Sequence, residues 1–362
     1  MVTKIVSLAK NIYFTRQNPV SLIHFVTNRC NARCSFCFID FDDPNTFKKE
    51  LSLLEIEQLT KHVGPSLQNV NLTGGEPFSR VDLLEVVRAW YINTNIRSIF
   101  ITTNGSLPER IISLANKIKS EFPDRLLIFS ISIDGLPELH NKIRKIANLF
   151  ENAIKSYHGL KKIGGNIDVN IAITVSHENY KTAHELYEEL STNYGIKSIT
   201  CTIVRDEGVY KIPKSVKENI LNTYNKIIKR IQSDLKLNIL QGYNADSLQG
   251  RLMNKKNVLM NNIISKIYLN PTYISPCHAG SLFGIIEANG NVKPCEILDN
   301  TIGNLRDYDM NFLKMWHGHD AQTLKSTIIN SKCNCTYECA WSFNILGNWR
   351  YQPSLLMGAL KL

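Results

Sequence analysis

No apolar run in this chain approaches the roughly 20 residues needed to cross a bilayer. The opening stretch, MVTKIVSLAKNIYFTRQNPV, has no long apolar core followed by a small-residue cleavage site. These absences argue against a helical membrane protein and a secretory signal, and the cytoplasm is the expected location. There is no internal repeat and no low-complexity segment, which sets aside solenoid and disordered architectures. No phosphate loop and no Ser-His-Asp arrangement stands out. Nor is there a block of like charge. The formal net charge is +10, but the lysines are spread along the chain. That reads as a solvated basic surface, and no nucleic-acid partner is expected. An anionic substrate or membrane surface is the alternative use of the charge.

What the chain does have is enough apolar material for a large core. It has 362 residues, 43% of them hydrophobic and 20% charged, which suits one large unit and a smaller second one. Short apolar strands alternate with amphipathic helices. Strands are expected at 22–27, 69–73, 98–103, 126–133, 167–175 and 198–204. Helices are expected at 52–63, 81–90, 107–120, about 136–158 and 177–194. The first helix opens on the capping-box pattern Ser52-x-x-Glu55. Six βα units argue for a parallel sheet, as a partial barrel or an open doubly wound sheet, with functional groups at the C-terminal strand ends. Residues 212–270 read as helical, and Gly290-Asn291 as the turn of a later hairpin. The expected division is a lead-in at 1–21, a βα unit at 22–211 and a helical connector at 212–276. A cysteine-rich unit at 277–345 and a tail at 346–362 complete it.

Nine cysteines are many for a chain without an export signal, so a disulfide scaffold is not expected. Three fall at 30–37 and five at 277–339, with Cys201 alone between. Two tight groups read as two metal sites. The first runs Cys30-Asn-Ala-Arg-Cys34-Ser-Phe-Cys37. Zinc sites favour four ligands in two close pairs, and no histidine is near to complete a tetrahedron. Three thiolates suit three irons of a four-iron cluster, leaving the fourth iron open.

With Phe36 just before its last cysteine, this C-x-x-x-C-x-x-C triad resembles the signature of the radical S-adenosylmethionine family. Three further segments fit the resemblance, in order and at strand ends. Gly74-Gly75-Glu76-Pro77 is similar to the family segment that binds the amino group of the cofactor's methionine moiety. Ser132-Ile133-Asp134-Gly135 is similar to the one whose serine lies near the ribose and carboxylate. His140 to Arg144 resembles a pattern whose arginine pairs with the cofactor carboxylate. With Asn104 at the third strand end, the implied cofactor-binding set is Phe36, Gly74, Gly75, Glu76, Pro77, Asn104, Ser132, Asp134 and Arg144. The resemblance implies a partial (β/α)6 barrel and a [4Fe-4S] cluster whose open iron is chelated by S-adenosyl-L-methionine. It also implies an external one-electron reductant of flavodoxin or ferredoxin type. Reductive cleavage would give methionine and a 5′-deoxyadenosyl radical, which abstracts a hydrogen atom from a substrate C–H bond.

The later segment, Cys277-His-Ala-Gly280 through Gly290-Asn-Val-Lys-Pro-Cys295-Glu, resembles the C-terminal SPASM or twitch extension of such enzymes. The full pattern carries seven cysteines. Here there are five, ending in the compressed run Cys333-Asn-Cys335-Thr-Tyr-Glu-Cys339. Five cannot ligate two complete clusters. One auxiliary [4Fe-4S] cluster is expected, on Cys277, Cys295, Cys339 and either Cys335 or Cys333, with a zinc site as the alternative.

Oxidation of the substrate fits an auxiliary cluster able to accept a second electron, and epimerisation comes next. Cys201 is the speculative hydrogen-atom donor, since alternation places it in phase with Arg205 at the strand end. A small buried core residue is the plainer reading of that cysteine. Only 29 residues precede Cys30, so an N-terminal peptide-recognition domain is not expected. That favours a carbohydrate-, nucleotide- or lipid-linked metabolite over a ribosomal peptide. The rival of another class is a non-catalytic iron–sulfur protein for electron transfer or sensing.

Overall fold

The computed structural model describes residues 2–205, 211–243 and 247–360. Helix α1 (Val2–Lys10) leads into strand β1 (Ser21–Thr27). Then come α2 (Leu53–Thr60), β2 (Asn69–Gly74), α3 (Leu83–Asn93), β3 (Ser98–Thr103), α4 (Pro108–Glu121) and β4 (Leu126–Ser132). The next elements are α5 (Pro137–Arg144), α6 (Leu149–Ile163), β5 (Ile167–Val175), α7 (Ala183–Thr192) and β6 (Ile199–Ile203). Two long helices, α8 (Lys217–Lys236) and α9 (Leu248–Ile267), precede the short strands β7 (Phe283–Ile286), β8 (Asn291–Lys293) and β9 (Gly303–Asn304). The chain closes with α10 (Phe312–Trp316), α11 (His319–Asn330), α12 (Glu338–Gly347) and α13 (Gln352–Leu360).

Strands β1 to β6 are parallel and lie side by side in chain order. A doubly wound sheet would reverse its order at a switch point, and this one does not. With every crossover right-handed, all the helices fall on one face and the sheet curls into a partial (β/α)6 barrel. Burial alternates along the strands. Val70 and Leu72, Ile99 and Ile101, Leu127 and Phe129, and Ile171 and Ile173 are buried in the apolar layer under the helices. Most of the intervening concave positions are polar, Phe100, Ile128 and Ala172 being exceptions. Across them Asn170 Oδ1 accepts from Ser130 Oγ at 3.1 Å and from Thr200 Oγ1 at 3.3 Å, and the Thr174 and Thr202 hydroxyls are 3.2 Å apart.

Two expectations are corrected. The helix expected over 136–158 is two helices, because Lys145 and Asn148 take left-handed φ of 56° and 55°. The helical stretch expected after residue 212 is present, as α8 and α9. The hairpin is present as β7–β8, but it does not stand apart. Strand β7 pairs parallel with β1, Ser21 opposite Phe283 through His24 opposite Ile286. One nine-stranded sheet therefore runs through both cysteine-bearing parts of the chain.

A half-buried ion pair reinforces that union. Ser52 and Glu55 form the capping box of α2. The same carboxylate takes Arg306 Nε at 2.6 Å and Nη2 at 3.1 Å. The Arg306 hydrogen bond holds the Glu55 carboxyl down to about 2, against an ordinary value of 4.5. Because the folded value lies below the unfolded one, the stability it contributes is complete above pH 4.5 and is lost as pH falls through about 2. Glu55→Gln is expected to cost about 1–2 kcal/mol at pH 7. Urea unfolding of both forms should show that gap closing as the pH is lowered. A gap independent of pH would refute the assignment.

Candidate functional site

The segment carrying Cys30, Cys34 and Cys37 leaves the C-terminal end of β1 and is fixed at three places. At the first, Gly75 N donates to Thr27 O and Glu76 N to Arg29 O, each at 2.8 Å. Those bonds bring two backbones together so closely that no Cβ fits at Gly74 or Gly75. At the second, Asn104 Nδ2 donates to Asn31 Oδ1 and Asn31 Nδ2 to Ser106 Oγ, both at 2.9 Å. At the third, Arg33 N donates to Arg144 O at 3.1 Å. Three segments singled out in the sequence thus hold the cysteine loop as well as flank it.

Glu76 is 1% exposed. Its carboxylate accepts from Thr103 Oγ1 at 2.7 Å, Asn104 N at 2.7 Å and Phe78 N at 3.1 Å. It ties the β2 end to the β3 end. Burial pushes its carboxyl up, opposed by those three bonds. Asp134 is fully buried and takes Arg144 Nε at 2.8 Å and Nη2 at 2.5 Å on Oδ2. Its Oδ1 accepts from Thr174 N at 2.9 Å. Asp134 therefore aims Arg144. The guanidinium lies 5.9 Å from the centre of the Phe36 ring and acts electrostatically on Cys30 and Cys34.

A cavity of about 920 Å³ opens at these strand ends. Cys30, Cys34, Cys37, Phe36, Gly74, Gly75, Asn104, Ser132 and Arg144 line it. Glu76, Pro77 and Asp134 stand behind that wall, as supports. Cys201 is not brought to it. It is 6% exposed, in phase with Ile199 and Ile203 in the apolar layer, while Thr202 takes the cavity side. The alternation that linked Cys201 to Arg205 ends with β6 at Ile203, so the inference fails there. Burial pushes the Cys201 thiol well up.

The far wall was not anticipated as a unit. Arg205 Nη2 meets Glu296 Oε1 at 2.7 Å and its guanidinium lies 4.6 Å from the Tyr337 ring centre. Lys293 meets Glu287 at 2.8 Å. Glu338 also lines the cavity, and its Oε1 is buried with no hydrogen-bond partner among the described residues. Sequence offered one signal: Glu296 and Glu338 each adjoin a cysteine of the second group.

That group is compact. Cys277 and Cys295 are buried, and Cys333, Cys335 and Cys339 are half-buried against the same small core, which includes Phe25, Phe283 and Ile285. Burial pushes the thiols of both groups up: Cys30, Cys277 and Cys339 to about 11, and Cys335 further. Such thiols ionise when a metal replaces the proton. Among the described residues no three His, Cys, Asp or Glu side chains converge closely enough to hold a single ion. Sulfur donors that each take a separate iron, as in a cluster, do not need to. A donor set of thiols alone, in two groups, fits iron–sulfur clusters.

A singly wound parallel sheet with an anchored arginine and two thiol groups at its strand ends defines a cofactor-dependent α/β enzyme. The family model of the Radical SAM superfamily matches residues 25–190, and that of the iron-sulfur cluster-binding domain SPASM matches residues 277–340. The chain is a radical S-adenosylmethionine enzyme with a SPASM domain, and its cofactors are [4Fe-4S] clusters and S-adenosylmethionine. It is similar to the Fe-coproporphyrin III synthase of Methanosarcina barkeri, 28% identical over 180 residues. That match spans 49% of this chain and less than half, 43%, of the relative. A probable GTP 3′,8-cyclase of Saccharolobus islandicus is 25% identical over 285 residues, 78% of this chain and 84% of its own. Among solved structures, anSMEcpe with bound AdoMet has a TM-score of 0.62 at 19% identity, covering 95% of this chain and 96% of the other. The same protein is known with AdoMet and the Cp18Cys peptide. That likeness is one of fold. No helix among the described residues is long and apolar enough to cross a membrane.

Proposed function

We propose that this enzyme removes a hydrogen atom from a C–H bond of a small, hydroxyl- or amine-bearing substrate and completes an oxidation as the substrate radical passes one electron to an auxiliary cluster and one proton from its hydroxyl or amine to the Glu338 carboxylate. One observation carries the reading. A single cavity is lined both by Cys30, Cys34 and Cys37 and by Glu296 and Glu338, which adjoin Cys295 and Cys339 in the sequence. When bound, the first cluster and S-adenosylmethionine supply the 5′-deoxyadenosyl radical that takes the hydrogen atom. Cys30, Cys34 and Cys37 hold that cluster, and Cys277, Cys295 and two of Cys333, Cys335 and Cys339 hold the auxiliary one. Arg144, aimed by Asp134, pairs with the cofactor carboxylate. Ser132 and Asn104 border the nucleoside, and Glu338 Oε1 accepts a hydrogen bond from the substrate. The electron for the first cluster comes from an external reductant of flavodoxin or ferredoxin type. A reducing cytoplasm suits nine free thiols.

The far-wall cations Arg205 and Lys293 are each matched by a carboxylate. A nucleoside triphosphate calls for unmatched cations, so a carbohydrate- or lipid-linked metabolite of low charge is favoured. With Cys201 outside the cavity, epimerisation would rest on the spare cysteine of the second group as hydrogen-atom donor. A peptide substrate is the second reading, supported by the fold shared with a peptide-binding protein.

Anaerobically reconstituted enzyme given dithionite and S-adenosylmethionine is expected to form 5′-deoxyadenosine. Iron should be about eight per chain and fall to about four in a Cys277→Ala/Cys295→Ala variant, one four-iron cluster being lost. No 5′-deoxyadenosine from fully loaded enzyme would overturn the radical reading. Iron unchanged by the double substitution would overturn the auxiliary one.

A further inference from the structure

Helix α9 carries a lysine that the cavity does not use. Lys256 is 5% exposed. Its Nζ donates to Ser342 Oγ at 3.0 Å. Ser342 lies three residues beyond Cys339 on α12, so the two are neighbours on one helix face. The Ser342 hydroxyl in turn meets Met260 Sδ, also on α9, at 3.4 Å. Lysine is almost never fully buried unless paired, yet no carboxylate of the described residues forms a salt bridge with Lys256. Burial opposes the charge of its ammonium, and Cys339, when ionised, favours it. Glu296 and Glu338 also act on Cys339, with the opposite sign when ionised.

A buried ammonium opposite neutral thiols would be desolvated for nothing. Opposite a thiolate-ligated cluster it is compensated, and more so once the cluster gains an electron. Cluster potentials are set by net charge, hydrogen bonds and exposure. We propose that Lys256 is a positioning residue for charge that raises the reduction potential of the auxiliary cluster and so fits it to accept the substrate's electron. The cluster gains that one electron, while Lys256 stays protonated and no bond to it forms or breaks. The inference rests on the auxiliary-cluster reading given above.

The test is an anaerobic redox titration of the reconstituted holoenzyme, with each cluster followed by electron paramagnetic resonance. In Lys256→Met the reduced-to-oxidised ratio of the auxiliary cluster at a fixed potential should fall about tenfold, a downward shift of about 59 mV for one electron. Lys256→Arg should keep the wild-type value, and the Cys30/Cys34/Cys37 cluster should not move in either. A fully loaded Lys256→Met enzyme with an unshifted auxiliary midpoint overturns the proposal. Where Lys256→Met does not load, Lys256→Gln is compared with Lys256→Arg, and equal midpoints overturn it. Wild-type iron of only about four per chain would instead overturn the underlying reading, since one cluster would account for all of it.

Discussion

Asp134→Ala will destabilise the chain by about 3–5 kcal/mol, the usual cost of stripping one partner from a buried ion pair. It will also lower 5′-deoxyadenosine formation about a hundredfold, on the order of 2.7 kcal/mol. The stability loss follows from where Asp134 sits. Its two carboxylate oxygens serve Arg144 on α5 and Thr174 N on β5. Its main chain adds two more links, N to His140 Nδ1 at 3.1 Å and O from Asn179 Nδ2 at 2.7 Å. Burial opposes the charge of Arg144, and Asp134, together with the ionised Cys34 and Cys30 thiols, more than offsets it. Without the carboxylate an unpaired guanidinium remains, 8% exposed. The loss of cleavage follows because the same guanidinium leaves its place beside Cys34, while Arg144 O releases Arg33 N and loosens the cysteine loop. Asp134→Asn keeps the shape and one acceptor, and should recover part of the stability but little of the cleavage. Urea unfolding and a timed 5′-deoxyadenosine assay separate the two effects. An Asp134→Ala protein within about 1 kcal/mol of wild type, the range of ordinary substitutions, would show that the pair does not carry this load.

How much of this was legible in the sequence depends on the range of the interaction. Strands β2 to β6 announce themselves because one face is apolar and the other polar, a period that survives in one dimension. The three-cysteine spacing is likewise local. The pairing of β1 with β7 is not, since 262 residues separate Ser21 from its partner Phe283. All seven residues of β1 are buried, but an apolar run marks only a strand covered on both faces and does not name the neighbour at its edge. The break between α5 and α6 left no trace, because Lys145 is an ordinary helix residue forced into a left-handed cap. Cys201 failed for a different reason: a two-residue period was carried past the end of the strand that produces it. Asp134 was found as part of a motif, but its partner ten residues later is set by the turn of α5, which the motif does not encode.

Gly75→Ala will remove the first cluster and leave the auxiliary one. A Cβ at Gly75 would stand 2.2 Å from Arg29 O, 2.6 Å from Arg29 C and 2.7 Å from Asn28 O. All three are backbone atoms of the turn that delivers Cys30, so no rotamer change relieves the clash. Gly75 has no positive φ, which makes the substitution a test of space alone. Gly74→Ala adds backbone strain at φ 137° to a contact of 2.0 Å with Thr27 O. Relief requires the turn to move away from β2, breaking the Gly75–Thr27 and Glu76–Arg29 hydrogen bonds. Cys30 then no longer faces the same point as Cys34 and Cys37. Iron should drop by about four per chain, one cluster's content, and 5′-deoxyadenosine should no longer form. Gly159→Ala supplies the contrast. Its Cβ would meet Ile112 Cδ1 at 2.4 Å, closer than many of these, but that atom is the tip of a side chain that can turn aside. If Gly75→Ala keeps its iron as Gly159→Ala does, the cysteine loop is not held by the close approach of Gly75. The three-point clamp would then reduce to its Asn31 and Arg33 arms.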